Sequence, residues 1–230
     1  MKDSFNNEIA HAYGNLVREI HIAELNEALE MLHTFYEKHK DEDENNRLKS
    51  QVDFWIADIL KEQGHLEEAL AIYIELQSGS EMDDGLYTTY LQLIGSILIL
   101  LKREEEAFTL IEDYFSKEKG RWLDYLNLLR WYAENLEKNQ NRKLAEYSHL
   151  VDIIKQEVQV EFEGNNLKDN ILSLANENKT ANRKLMELSI LSTKTEKETV
   201  LPMLTDYIAS VKVGLYRQQA INLKEYLLGN

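Results

Sequence analysis

Two Glu-x-x-His pairs are the residues in this chain best spaced to do chemistry: Glu8 with His11, and Glu30 with His33. At i, i+3 spacing on helices, such pairs serve di-metal carboxylate bundles. That chemistry also needs a Glu from each of two further helices, and every ligand must project inward. Helical phase argues against it here. On the second helix the apolar stripe is Ile22, Leu25, Leu29, Leu32 and Tyr36, while Glu30 and His33 fall beside Asn26 and Glu37 on the polar side. A di-metal enzyme is therefore the last-ranked reading. The other histidines, His21, His39, His65 and His149, are scattered. The sequence has no phosphate-cradling glycine loop, no nucleophile elbow and no His-Glu-x-x-His. It has no cysteine, so disulfides and thiolate metal sites are excluded. The expectation is a non-catalytic chain without cofactor or metal.

The elements behind these residues read as helices throughout. There is one proline, Pro202, and no alternating β-branched stretch long enough to demand a sheet. The most apolar run, Leu91 to Leu101, is about half the length that spans a bilayer. The first residues lack the apolar core of a signal peptide. A soluble, cytoplasmic protein is expected. The net charge of −15 argues against nucleic acid and anionic membrane as partners and fits a basic protein.

A repeated pair of small residues organises the middle of the chain. Ala57 and Ala69, Gly95 and Ala107, and Ala133 and Ala145 are each 12 apart, and successive pairs are 38 apart. Other columns follow the same register. Leu60, Leu98 and Leu136 follow the first small residue by three, and Ile56, Ile94 and Tyr132 precede it. Tyr73, Ile111 and His149 follow the second by four. Each unit reads as two antiparallel helices that approach closely at the small pair, with the turn at Gly64, at Lys102–Arg103 and at Asn139–Asn141. One such hairpin cannot bury its faces alone, so neighbours must stack.

The first unit carries Ile56, Ala57 and Leu60, then Gly64-His65-Leu66-Glu67-Glu68-Ala69-Leu70, then Tyr73. This resembles the tetratricopeptide repeat family over residues 47–158. The chain departs from that pattern in several columns. The early tryptophan column reads Asp53, Leu91 and Leu129, and the late alanine column reads Leu76, Tyr114 and Asp152. The closing proline is missing and the period exceeds the usual 34. The resemblance implies an all-α right-handed superhelix of α-α hairpins whose first helices line a concave groove. It places Gln51, Phe54, Asp58 and Lys61 on the groove from the first unit. It adds Thr89, Gln92, Ser96 and Ile99 from the second, and Asn127, Arg130, Glu134 and Glu137 from the third. Trp55 and Trp131, 76 apart, are read as packing between repeats and not as a ledge for a peptide.

The domain reading is an N-terminal hairpin at 1–46 (a variant repeat or cap, with Gly14 and Ala28 as a degenerate small pair), three repeats at 47–163, and C-terminal helices at 164–230 (degenerate repeats, a cap or a dimerisation element). Pro202 is expected in the first turn of a helix and Gly214 at a break. The function read from all this is a protein-interaction module that holds a segment of another protein on its concave face. An immunity-type inhibitor of a basic toxin such as a nuclease is the alternative, and the C-terminal helices offer a route to a homodimer.

Overall fold

The computed structural model describes residues 7–43, 46–81, 85–117, 120–139, 142–160 and 166–229, and the described residues are all-helical, without strands. The chain forms two compact units, 1–110 and 111–230. The division falls inside the sixth helix.

The first unit contains α1 (Asn7–Ile20), α2 (Leu25–His39), α3 (Arg47–Glu62), α4 (Leu66–Ser78), α5 (Gly85–Leu100) and the first half of α6 (Glu104–Ser116). From α1 to α5 each helix packs on the next. Ile9, Leu16, Ile20, Ala28, Leu32, Leu48, Val52, Ile56 and Ile59 form one buried cluster. Tyr13, Leu29, Phe35, Trp55 and Ile72 pack around it.

The members of two of the three small pairs are buried, as the register expects. Ala57, Ala69 and Ala107 are fully buried, and Gly95 is buried. The turns repeat with the same period. α3 ends in a left-handed Gly64 (φ +83°), with His65 N–H bonded to the Leu60 carbonyl at 2.8 Å and Gly64 N–H to Lys61 at 3.1 Å. Thirty-eight residues later α5 ends in a left-handed Lys102 (φ 63°), with Arg103 N–H on the Leu98 carbonyl at 2.8 Å and Lys102 N–H on Ile99 at 3.1 Å. Both are Schellman closures, which satisfy the last carbonyls of a helix and favour glycine at the left-handed position. Lysine there carries a Cβ clash that glycine lacks. Lys102→Gly should therefore raise stability by about 0.5–1 kcal/mol, and Gly64→Ala should lower it by about 1 kcal/mol, both read by urea titration.

The start of the chain departs from its sequence reading. Ile22 does not join the apolar stripe of α2; it is 89 % exposed in the turn before that helix. The amides of Ile22 and Ala23 both bond back to the Glu19 carbonyl, so these residues close α1. Gly14 faces open space and makes no close pair with Ala28.

The second unit contains the rest of α6, then α7 (Trp122–Asn135), α8 (Ser148–Val158), α9 (Leu167–Lys194), α10 (Lys197–Ser210) and α11 (Gly214–Leu228). The 28-residue α9 packs on α7, α10 and α11, and α8 packs on α7 and α11. Here the third copy of the register fails. Ala133 is fully buried, but Ala145 is exposed in a 3-10 turn (Leu144–Tyr147), and His149 and Asp152 are exposed too. α8 starts only at Ser148 and buries Leu150, Val151, Ile154 and Val158 instead. Of the turn expected at Asn139–Asn141, residues 140 and 141 lie outside the described residues.

The amide-rich middle of α9 has a packing role. Asn178 is buried, and the Tyr216 hydroxyl of α11 donates to its Oδ1 at 3.0 Å. The Tyr207 hydroxyl of α10 donates to the Ala181 carbonyl at 2.9 Å, and burial pushes that phenol up to about 12. Pro202 is the sixth residue of α10, not in its first turn. The helix begins early because its buried stripe begins at Val200 and continues through Leu204 and Tyr207. Pro202 is itself exposed, so water can hydrate the carbonyl its ring leaves without an amide. The break expected at Gly214 lies just before it, at residues 211–213. Gly214 opens α11 pressed against Gln159, where a Cβ would meet the Gln159 Cβ at 2.7 Å.

Gly120 is confined in the same way. A Cβ there would lie 2.6 Å from the Tyr114 hydroxyl and 2.9 Å from the Tyr125 ring, and its amide donates to the Tyr125 hydroxyl at 2.9 Å.

Candidate partner-binding cleft

A cleft of about 870 Å³ opens in the first unit. The first half of α3 supplies Arg47, Lys49, Ser50, Gln51, Asp53 and Phe54. The end of α4 and the turn after it supply Glu75, Leu76, Gly79, Ser80 and Glu81. Leu86 and Tyr90 come from α5, and Tyr13 from α1.

Local chemistry fixes the α3 wall. Asp43 precedes the helix and clamps its first turn: Oδ1 accepts from the Leu48 amide at 2.9 Å and Oδ2 from the Lys49 amide at 2.8 Å. These are orphan donors of a helix start, so an acid before the helix stabilises it. The same contacts fill that helix end, which is therefore not an anion site. At the back of the wall the Trp55 indole donates to the Tyr13 hydroxyl at 3.0 Å, tying α3 to α1.

The floor is apolar. Leu76 and Tyr90 are buried, and the Phe54 ring lies 6.0 Å from Tyr73, 6.4 Å from Tyr90 and 5.7 Å from Trp55. Leu86 stands half-exposed at the rim. Burial, with the Asp58 carboxylate nearby, holds the Tyr73 phenol well above its ordinary range, so it stays neutral.

Charge is arranged on the wall. Lys49 Nζ lies 2.6 Å from Asp53 Oδ2 and 3.5 Å from Glu75 Oε1. The Asp53 hydrogen bond holds the Lys49 ammonium above its ordinary range. Glu75 is 75 % exposed. Gln51 Oε1 is buried with no hydrogen-bond donor among the described residues.

Of the residues that sequence places on a concave face, Gln51 and Phe54 line this cleft. Asp58 and Lys61, further along α3, pair with each other. Thr89 is exposed, and its hydroxyl bonds to the Gly85 carbonyl at 3.0 Å. The Gln92 carbonyl accepts from Ser96 Oγ at 2.7 Å, and Ile99 is half-buried. In the second unit Asn127 is half-buried, Arg130 lies 4.0 Å from Glu134, and Glu137 pairs with Lys168 at 3.2 Å. Among the cleft residues that the concave-face reading did not single out are Tyr13, Lys49, Asp53, Glu75, Leu86 and Tyr90. They come from four helices, and only tertiary packing brings them to one place.

The Glu-x-x-His pairs have no inward geometry. Glu8, His11, Glu30 and His33 are all exposed, and among the described residues no group of three His, Cys, Asp or Glu is placed to hold a metal ion. Among the same residues no helix is long and apolar enough to cross a membrane.

A smaller groove of about 400 Å³ lies between α9 and α10, over Ala181, Tyr207, Val211 and Val213. The Lys212–Glu177 ion pair at 2.9 Å crosses from one helix end to the other helix beside it. Comparison of the chain with protein-family models, with curated proteins and with solved structures finds no match.

Proposed function

We propose that this chain is a non-catalytic interaction module, built in its first unit from hairpins similar to tetratricopeptide repeats, and that the cleft of that unit holds a segment of a partner protein. The observation that carries the reading is the cleft itself. It is large enough for several side chains, has aromatic and aliphatic residues on its floor, and offers polar groups around the rim. Support for the repeat comes from the two left-handed turns 38 residues apart, with equivalent hydrogen bonds on Leu60 and Leu98.

Ser50 gives a direct test, because it is exposed on the wall, where its hydroxyl donates to the Asn46 carbonyl at 3.0 Å. Ser50→Trp should fill the cleft while leaving the fold intact. A protein retained from cell extract by the wild type should be lost by Ser50→Trp and kept by Arg183→Ala, a change at an exposed site on α9. Retention of the same protein by Ser50→Trp would refute the cleft as the binding site.

A further inference from the structure

The excess acid of the chain belongs to its first unit. Residues 1–110 contain 9 Lys and Arg against 23 Asp and Glu, net −14, while residues 111–230 contain 17 against 18, net −1. Acidity that served solubility alone would have no reason to be partitioned in this way. The cleft lies in the acidic unit, and its wall holds a carboxylate pair, Asp53 and Glu75, with a cation already seated between them: Lys49, at 2.6 and 3.5 Å. Phe54, Leu76 and Tyr90 form the apolar floor of the same cleft.

Resting on the reading of the cleft as a segment-binding site, we propose that its occupant is a cationic segment of another protein. A Lys or Arg of that segment takes the Asp53–Glu75 pair in place of Lys49, and an apolar neighbour settles on the floor. Lys49 is then an internal stand-in for the partner's cation. Arginine suits the place best, since it binds carboxylates through paired donors and stacks on aromatic rings. The field of a unit at −14 also speeds the encounter with a basic partner. The first unit of a second copy is a poor occupant, because it brings the same negative field to the contact.

The test uses the full chain and three dye-labelled peptides, alternating Arg-Leu, Gln-Leu and Glu-Leu, read by fluorescence anisotropy. The Arg-Leu peptide should bind about tenfold or more tighter than Gln-Leu, weaken as salt rises, and be blocked by Ser50→Trp. Lys49→Ala should tighten Arg-Leu binding by about threefold or more, because it vacates the carboxylate pair, and Asp53→Asn should weaken it by a similar factor. Lys38→Ala makes the same charge change at an exposed site on α2 and should shift binding by less than about twofold. Circular dichroism establishes that each variant folds.

Equal binding of Arg-Leu and Gln-Leu, both blocked by Ser50→Trp, would overturn the cationic occupant and leave the segment-binding site standing. Equal shifts from Lys49→Ala and Lys38→Ala would also overturn it, since they would reflect the general field and not the carboxylate pair. Failure of all three peptides to bind in a way that Ser50→Trp blocks would count against both the occupant and the site.

Discussion

Gly95→Leu should cost about 1–3 kcal/mol, or several degrees in Tm. Gly95 is buried in α5, with Ile94, Ile97 and Leu98 around it in sequence all buried as well. A leucine there must displace neighbours in an interior packed as densely as an organic crystal. Two controls separate this from any generic effect of adding leucine. Lys143→Leu and Ala145→Leu both fall on exposed positions and should each change stability by less than about 0.5 kcal/mol. Thermal melts of the three variants check the expectation, and equal shifts would sink the small-pair register. Ala145 is the sharper control, because the periodic pattern alone would assign it the same burial as Ala69 and Ala107.

The second large effect is expected at Glu112. Its Oε1 accepts from the Tyr132 hydroxyl at 2.7 Å and its Oε2 from Arg142 Nη1 at 2.7 Å. The two charged side chains are only 16 % and 23 % exposed, and the aromatic group of Phe115, Tyr132 and Tyr147 lies alongside. Burial first, with Glu112 adding to it, holds the Tyr132 phenol protonated, so the carboxylate accepts and the phenol donates. Glu112→Ala takes away the acceptor that both groups use, in a place water reaches poorly. The expected loss is about 2–3 kcal/mol, somewhat under the figure for a fully buried pair. Glu112→Gln keeps the shape and one acceptor, and should lose about half as much. If Glu112→Ala and Glu112→Gln melted together, the charge on Glu112 would not be what holds this site.

Much of the first unit was legible in the sequence because its hairpins are local. A small pair at fixed spacing, a glycine at the turn and apolar residues at i+3 and i+4 all act within one hairpin, and each falls where the pattern places it at Ala57, Gly64, Ala69 and Tyr73. The second hairpin was legible for the same reason, although its turn uses Lys102 in a glycine's conformation. The third was not. Its first half keeps the buried Ala133, but the chain after it takes a 3-10 turn and α8 starts late, so the buried face moves to Leu150, Val151, Ile154 and Val158. Tertiary burial overrode the period there. Pro202 went astray likewise, because the need to bury Val200 extended α10 in front of it. At the cleft, helical phase found Gln51 and Phe54 on α3. It had no means to find Glu75, Leu86 or Tyr90, whose meeting depends on how α4 and α5 lie against α3.

The most direct measurement of the central claim, that the first-unit cleft holds a partner's segment, is photo-crosslinking in the native cell. A benzophenone side chain is placed at Ser50 in one preparation and at Arg183 in another. Adducts with another protein from position 50, and none from position 183, are the predicted result. Adducts of equal yield from both positions, or from position 183 alone, would contradict the account.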